Sequence, residues 1–246
     1  MPDEVDGTFY SCIIRISRMP VHSFVFSSRL FMPTLLLTFR QNVSKRQRRE
    51  VNYSYMKNMI RKTALGRRDV IPRAVKRIKD SLIKEMLFSL PEFGRARTVL
   101  CYASFRSEVE TSAIIGESLA RGKRVALPKV DREKRRLELY EVKDASELSP
   151  GYMEIPEPSS TGEGSVSIGD IDLVIMPGAG FDLSGNRLGY GGGYYDILLA
   201  DSGKDTPKIA LAYEEQIVDS IPSEKHDVKV DIIVTDKRII RVGHAF

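Results

Sequence analysis

An apolar strand running into a glycine-rich loop and then a helix constrains this chain more than any other feature. Ile171-Asp172-Leu173-Val174-Ile175-Met176 reads as a buried strand, and Tyr194 to Ala200 as a short helix. Between them lie seven glycines, at 178, 180, 185, 189, 191, 192 and 193. Each costs backbone entropy on folding, so the density needs a reason. Either the glycines serve tight turns alone, or they let backbone N–H groups approach a ligand such as phosphate at the N-terminal end of a helix.

The surrounding sequence alternates in the same way. Ile71, Val75, Ile78, Leu82 and Met86 recur at spacings of three and four, which predicts an amphipathic helix with that face inward. Thr98 to Ala103 predicts a buried strand, and Ser107-Glu108-Val109-Glu110 resembles a capping box opening a helix through Ile114, Ile115 and Leu119. Gly122 stands at its C-cap, and Arg124 to Leu127 is a second strand stopped by Pro128, which completes a βαβ unit. Leu137 to Val142 alternates as a half-exposed strand does, and residues 150–169, rich in Pro, Gly, Ser and Glu, read as a surface loop. Ile209 to Tyr213 and Val230 to Thr235 are further strands. Strands alternating with helices predict a three-layer α/β/α fold around a mostly parallel sheet.

The glycine loop carries chemistry as well as shape. Arg187 supplies a forked cation for phosphate oxygens, and Asp196, just beyond, is able to hold a divalent metal. The loop is not a P-loop, because no Gly-Lys-Ser/Thr follows, and it lacks the third small residue of the dinucleotide fingerprint. Glu108, beyond a strand's carboxyl end, is either a first-turn carboxylate complementing a helix dipole or a ligand-binding group. Lys57 and Arg61 share a helical face, by default a solvated one. Asp227, ahead of the last strand, reads alone as a turn residue; it joins a site only if its loop folds across.

Composition excludes several classes. The two cysteines, Cys12 and Cys101, form no CxxC pair, and the histidines are His22, His226 and His244 alone. Cysteine-built zinc sites, a disulfide framework and HExxH chemistry are therefore not expected, and a reducing, cytoplasmic compartment is. No run of about 18 apolar residues predicts a membrane span. Of the net charge of +5, residues 1–55 hold eight basic and four acidic side chains, so +4, and the remaining 191 residues hold only +1. A near-neutral body argues against a nucleic-acid surface. Residues 1–55 show no sustained period and read as a poorly structured extension, disordered or upstream of the true start, with Met56 opening the patterned chain. Organellar targeting and a basic nucleic-acid arm at Arg40 to Arg49 are the less favoured readings. Residues 56–246 then form one domain.

The motifs, taken together, resemble those of 5-formyltetrahydrofolate cyclo-ligases, also called methenyltetrahydrofolate synthetases. Met176-Pro177-Gly178-Ala179-Gly180-Phe181-Asp182 and Asn186-Arg187-Leu188-Gly189-Tyr190-Gly191-Gly192-Gly193-Tyr194-Tyr195-Asp196 carry the likeness. Lys57-x-x-Ile60-Arg61, Tyr102-x-Ser104 with Glu108 to Thr111, Gly122 to Pro128, Ala210 to Gln216 and His226 to Asp231 extend it in the family's order over roughly 57–236. Residues 1–55 have no counterpart in that pattern, and residues 129–168 carry no motif that aligns.

The resemblance implies a ligase of one-carbon metabolism acting on reduced folate and ATP with Mg²⁺, as a cytoplasmic monomer with neither membrane nor nucleic acid as partner. ATP would phosphorylate the formyl oxygen of 5-formyltetrahydrofolate, and ring closure would give 5,10-methenyltetrahydrofolate, ADP and phosphate. It implies Lys57, Arg61 and Arg187 through Tyr195 (Leu188, Gly189, Tyr190, Gly191, Gly192, Gly193, Tyr194) at ATP. Glu108 and Tyr190 through Tyr194 would contact folate, Arg187 and Tyr194 would act in catalysis, and Asp196 and Asp227 would hold the metal. The competing class is a folate- or nucleotide-binding protein of the same fold without turnover.

Overall fold

The structure, a computed structural model, describes residues 45–144, 147–152, 155–158, 164–200 and 205–243, with the backbone alone before Tyr53. Most of the predicted extension lies outside these residues. Helix α1 (Lys45–Asp69) begins well before Met56, so the boundary drawn at 55/56 falls inside a helix. Its inward positions from Tyr53 on are Tyr53, Lys57, Ile60, Arg61, Ala64, Leu65 and Arg68, one face at helical spacing.

Helix α2 (Arg73–Ser89) forms where expected, but on a different face. Val75, Ile78 and Leu82 are exposed, while Ile83 and Leu87 are fully buried and Ile71 and Met86 partly so. The inward stripe is Lys76, Lys79, Asp80, Ile83 and Leu87. Lys79 reaches Asp236 at 3.0 Å and Lys76 donates to the Glu108 carbonyl at 2.5 Å. Polar partners deeper in the fold claim the first half of the helix, so hydrophobicity alone points the wrong way.

After the single turn α3 (Pro91–Arg95), the expected βαβ unit appears as β1 (Thr98–Leu100), α4 (Ser112–Ala120) and β2 (Arg124–Asp131). β1 and β2 run parallel with Val99 beside Val125. Two predicted boundaries shift. Helix α4 opens at Ser112, not at Ser107, because Thr111 Oγ1 is bound to the Tyr102 carbonyl at 2.7 Å and the Ser104 amide at 2.9 Å. Glu110 caps the helix instead, accepting the Ser112 amide at 2.9 Å. Strand β2 passes through Pro128, where the ladder with β1 has already ended, and pairs with β3 (Arg136–Val142) as an antiparallel hairpin. Gly122 does take the left-handed C-cap conformation, at φ +75°.

The segment read as a surface loop is structured in part. β4 (Leu148–Pro150) pairs with β5 (Pro156–Pro158), β6 (Ser165–Val166) adds to β3, and Glu157 and Pro158 are buried. Turn-forming composition there marks short strands as well as loops. β7 (Leu173–Met176), the small hairpin β8 (Gly180–Phe181) and β9 (Arg187–Leu188), α5 (Tyr194–Ala200), β10 (Lys208–Leu211), β11 (Ile232–Val234) and β12 (Ile239–Arg241) complete the chain.

The main sheet has the order β12-β11-β10-β7-β1-β2-β3-β6, with β11, β10, β7, β1 and β2 parallel and both margins antiparallel. Ile83, Leu87, Phe93, Ile114 and Ile115 cover one face over Val99, Leu173 and Ile209. Leu199, Leu198 and Phe181 cover the other over Leu100, Val174 and Ala210. Three layers and a mostly parallel sheet follow, as the alternation predicts. The parallel strands all end toward one rim, and residues just past β1 and β7, with Pro128 and Val130 of the second half of β2, line a cavity there.

Candidate active site

Asp182 folds the glycine loop. Its buried carboxylate accepts the Ser184 and Asn186 amides at 2.9 and 3.0 Å, the Asn186 side chain at 2.8 Å and the Ile221 amide at 2.8 Å. Gln216 Nε2 holds the other limb, donating to the Gly178 and Ala179 carbonyls at 2.8 and 3.1 Å. Not all the glycines face a ligand. Gly185 has φ +78°, and a Cβ there would lie 2.6 Å from the Val230 carbonyl oxygen, so it serves a turn.

The later glycines form a partition between two cavities. The first, about 510 Å³, is walled by Tyr102, Phe105, Val130, Leu137, Tyr152 and Ile155 among others, and is mostly apolar. The second, about 690 Å³, is bordered by Lys57, Arg61, Glu224, Lys225, His226 and Asp227. Along the partition Tyr190 and Gly192 face the first cavity, Leu188 and Gly191 the second, and Arg187, Gly189, Gly193 and Asp196 border both.

Arg187 stands at that junction. Its side chain is 6% exposed and its NH2 group lies 3.2 Å from Asp196 Oδ1. Its Nε has no hydrogen-bond partner among the described residues, so part of its donor capacity is uncommitted. Asp196 also accepts the Val228 amide at 3.0 Å, tying α5 to the loop before β11.

Lys57 and Arg61 are half-buried and bonded across the fold. Lys57 Nζ reaches Asp227 at 2.8 Å and Glu224 at 3.1 Å, and Arg61 Nε donates to the Gly189 carbonyl at 2.8 Å. Asp227 is therefore no free turn residue, because its loop does fold across. Burial alone would lower the Lys57 pKa, but Asp227 and Glu224 outweigh it and raise it. For Asp227 burial pushes upward, and Lys57 with the Glu224 amide outweighs it, leaving a lowered pKa. Glu224, His226 and Asp227 bring ligand-type atoms within 4.8 Å of one another, with His226 and Glu224 exposed. The carboxylates of Asp196 and Asp227 are hard oxygen donors at the second cavity, the type Mg²⁺ takes together with phosphate oxygens. An ion there would share them with Arg187 and Lys57.

Glu108 is not a helix first-turn residue. Its Oε1 accepts the Tyr190 hydroxyl at 2.5 Å and its Oε2 the Phe105 amide at 2.9 Å, at the wall of the first cavity. Burial is the largest influence on it and raises its pKa despite these donors. Lys76 and Tyr213 hold its backbone carbonyl from below, and Tyr213 in turn donates to Asp80.

Arg68 is the main residue that reading by motif missed. It is 4% exposed and donates to Ser107 Oγ at 3.0 Å and the Tyr190 hydroxyl at 2.8 Å. Its signal was present: positions 57, 61, 64 and 68 share one helical face. Of the residues assigned to ATP, the structure places Lys57, Arg61, Arg187, Leu188, Gly189, Gly191 and Gly193 at the second cavity, and Tyr190, Gly192, Tyr194 and Tyr195 at the first. Of those assigned to folate, Glu108, Tyr190, Gly192, Gly193 and Tyr194 line the first cavity and Gly191 the second.

Comparison with known proteins places this geometry in context. The model of the 5-formyltetrahydrofolate cyclo-ligase family matches residues 53–236. The mouse 5-formyltetrahydrofolate cyclo-ligase is 31% identical over 175 residues, 65% of this chain and 84% of its own. The mitochondrial enzyme of that name from Arabidopsis thaliana is 28% identical, covering 87% of this chain and 86% of its own. That share exceeds residues 53–246, so the likeness enters the leading segment for which the sequence offered no family counterpart. The solved structure of Aquifex aeolicus 5,10-methenyltetrahydrofolate synthetase superposes with a TM-score of 0.68 at 34% identity, over 78% of this chain and 95% of that one.

Proposed function

Because the chain belongs to the 5-formyltetrahydrofolate cyclo-ligase family, we propose that it cyclises 5-formyltetrahydrofolate to 5,10-methenyltetrahydrofolate, converting ATP to ADP and phosphate. The observation that carries this reading is the pair of cavities meeting at Arg187, Gly189, Gly193 and Asp196. Moving a phosphoryl group from ATP to the formyl oxygen of a folate needs two adjoining chambers with a shared wall, one for the folate's rings and one where Lys57, Arg61, Arg187 and Lys225 face the phosphates.

In this reading the second cavity takes ATP, with Lys57 and Arg61 on its rim and Leu188, Gly189, Gly191 and Gly193 along the phosphates. The first takes the reduced folate, with Glu108 accepting N–H groups of the pterin. Arg187, between them, neutralises the phosphoryl group as it passes from ATP to the formyl oxygen. Asp196 and Asp227 would hold Mg²⁺, which when bound screens the phosphate charge. The phosphorylated formyl carbon is a better electrophile than the amide-like original, and its oxygen becomes a better leaving group. The neighbouring amine nitrogen then closes the ring, loses its proton, and phosphate departs. Both reacting atoms belong to one bound molecule, so proximity lowers the barrier without a second encounter. Tyr194, lining the folate side beside Gly193, shields that step.

Incubating the full chain with 5-formyltetrahydrofolate, ATP and Mg²⁺ tests the proposal. A methenyl absorbance that grows only with all three present, and is lost in Asp196→Ala, supports it. Tight folate binding with no ATP consumed would instead favour a binding protein without turnover.

A further inference from the structure

Tyr195 opens α5 beside Tyr194, and the sequence motif puts it with the nucleotide. Its side chain goes the other way. It lines the first, apolar cavity and not the second, and packs against the core cluster that contains Leu100, Leu199 and Val230. The Arg187 guanidinium lies over the ring, 5.6 Å from its centroid. The hydroxyl is buried, yet it has no hydrogen-bond partner among the described residues. Leaving a buried hydroxyl unpaired costs about 1–3 kcal/mol, a cost phenylalanine would not incur. Burial also raises its pKa further above the ordinary phenol value, so the group stays protonated. The acceptor nearest in chemistry, Glu108, is already engaged by Tyr190 and the Phe105 amide.

We propose that Tyr195 is a folate-side residue whose hydroxyl donates to a carbonyl-type oxygen of the reduced folate's head group. The inference rests on the cyclo-ligase reading, which supplies a ligand carrying such oxygens, on the pteridine ring and on the formyl group. It divides the adjacent tyrosines and glycines of the loop by destination: the backbone of Gly191 turns to the nucleotide, while the Tyr190, Tyr194 and Tyr195 side chains turn to the folate.

The test is Tyr195→Phe in the full chain, which keeps the ring and removes one oxygen. Calorimetric titration with 5-formyltetrahydrofolate in the absence of ATP should show Kd about tenfold higher than wild type. That is about 1.4 kcal/mol, the size of one ordinary hydrogen bond. In turnover the folate KM should rise similarly, while the ATP KM stays within twofold. The melting temperature should not fall, because the hydroxyl is unpaired in the free protein. An unchanged folate Kd would overturn the proposal, as would a shift confined to the ATP KM or a melting temperature lowered by several degrees. If the wild-type chain itself binds no folate, the cyclo-ligase reading fails and this inference with it. If wild type binds and Tyr195→Phe binds equally, only the role of Tyr195 fails.

Discussion

Single side chains at this site are held by partners that make their removal informative. Arg187 touches both cavities, so Arg187→Ala should lower kcat by about 10²–10³-fold, the range for losing one preorganised charge donor. Arg187→Lys should recover only part of that, because an ammonium lacks the planar fork. Steady-state rates on folded variants decide it, and full recovery by lysine would show that charge alone matters. Glu108 makes a different prediction, about pH. Its pKa is raised above 4.5 by burial, so the folded protein holds that proton more tightly than the unfolded chain does. The resulting stabilisation is full below the unfolded value and is lost as pH rises through the folded one. At neutral pH the ionised carboxylate is thus a cost to folding. Glu108→Gln keeps one of the two acceptor oxygens and loses the charge, so its melting temperature relative to wild type should be more favourable at pH 7 than near pH 4, while it binds folate more weakly. Thermal melts at the two pH values check the sign, and a difference that is less favourable at pH 7 would contradict it.

At the scale of elements, two arguments meet: what a helix face presents and what a glycine permits. Gly185 sits at φ +78° with the Val230 carbonyl where a methyl would go, and it borders neither cavity. Gly185→Ala should cost about 2 kcal/mol or more, roughly 4–8 °C in a domain of this size. Calorimetry should show the loss while the KM values of the surviving folded enzyme stay near wild type. The same elements show what sequence can and cannot disclose. Alternating apolar runs of strand and helix length gave the layered sheet, because burial of those runs has few solutions. Arg187 and the glycines stood out by type and density. The face of α2 was misread because its inward first half is polar, and Asp236, Glu108 and Tyr213, which justify that, lie far along the chain. Lys57 and Asp227 looked ordinary for the same reason: they are 170 residues apart, and each becomes meaningful only beside the other. Arg68 fell between motifs, although its phase with Lys57 and Arg61 along α1 marks it.

In the whole molecule, the first described helix and the loop before β11 border the second cavity from opposite ends of the sequence. Lys57, whose ion pairs with Asp227 and Glu224 link the two, directly follows Met56, where the sequence patterning begins. In the structure α1 starts at Lys45, so Lys57 lies inside a helix with several turns before it. A chain starting at Met56 would put Lys57 within the first turn, whose N–H groups have no intrahelical partner and which frays. A chain starting at Lys45 keeps those turns. Both retain every residue of the central sheet, so both should fold. The chain from Met56 should show an ATP KM roughly tenfold higher, about what one weakened charge-assisted contact accounts for, with the folate KM little changed. Its stability should differ in a pH-dependent way. The lowered pKa of Asp227, held by Lys57, contributes stability above the ordinary aspartate value of 3.8 that is lost as pH falls through the lowered one. The gap in melting temperature between the two chains should therefore be open at pH 7 and narrow on acidification below pH 4. Equal ATP KM values for the two chains would mean that Lys57 needs no helix ahead of it and that the second cavity is complete from Met56 onward.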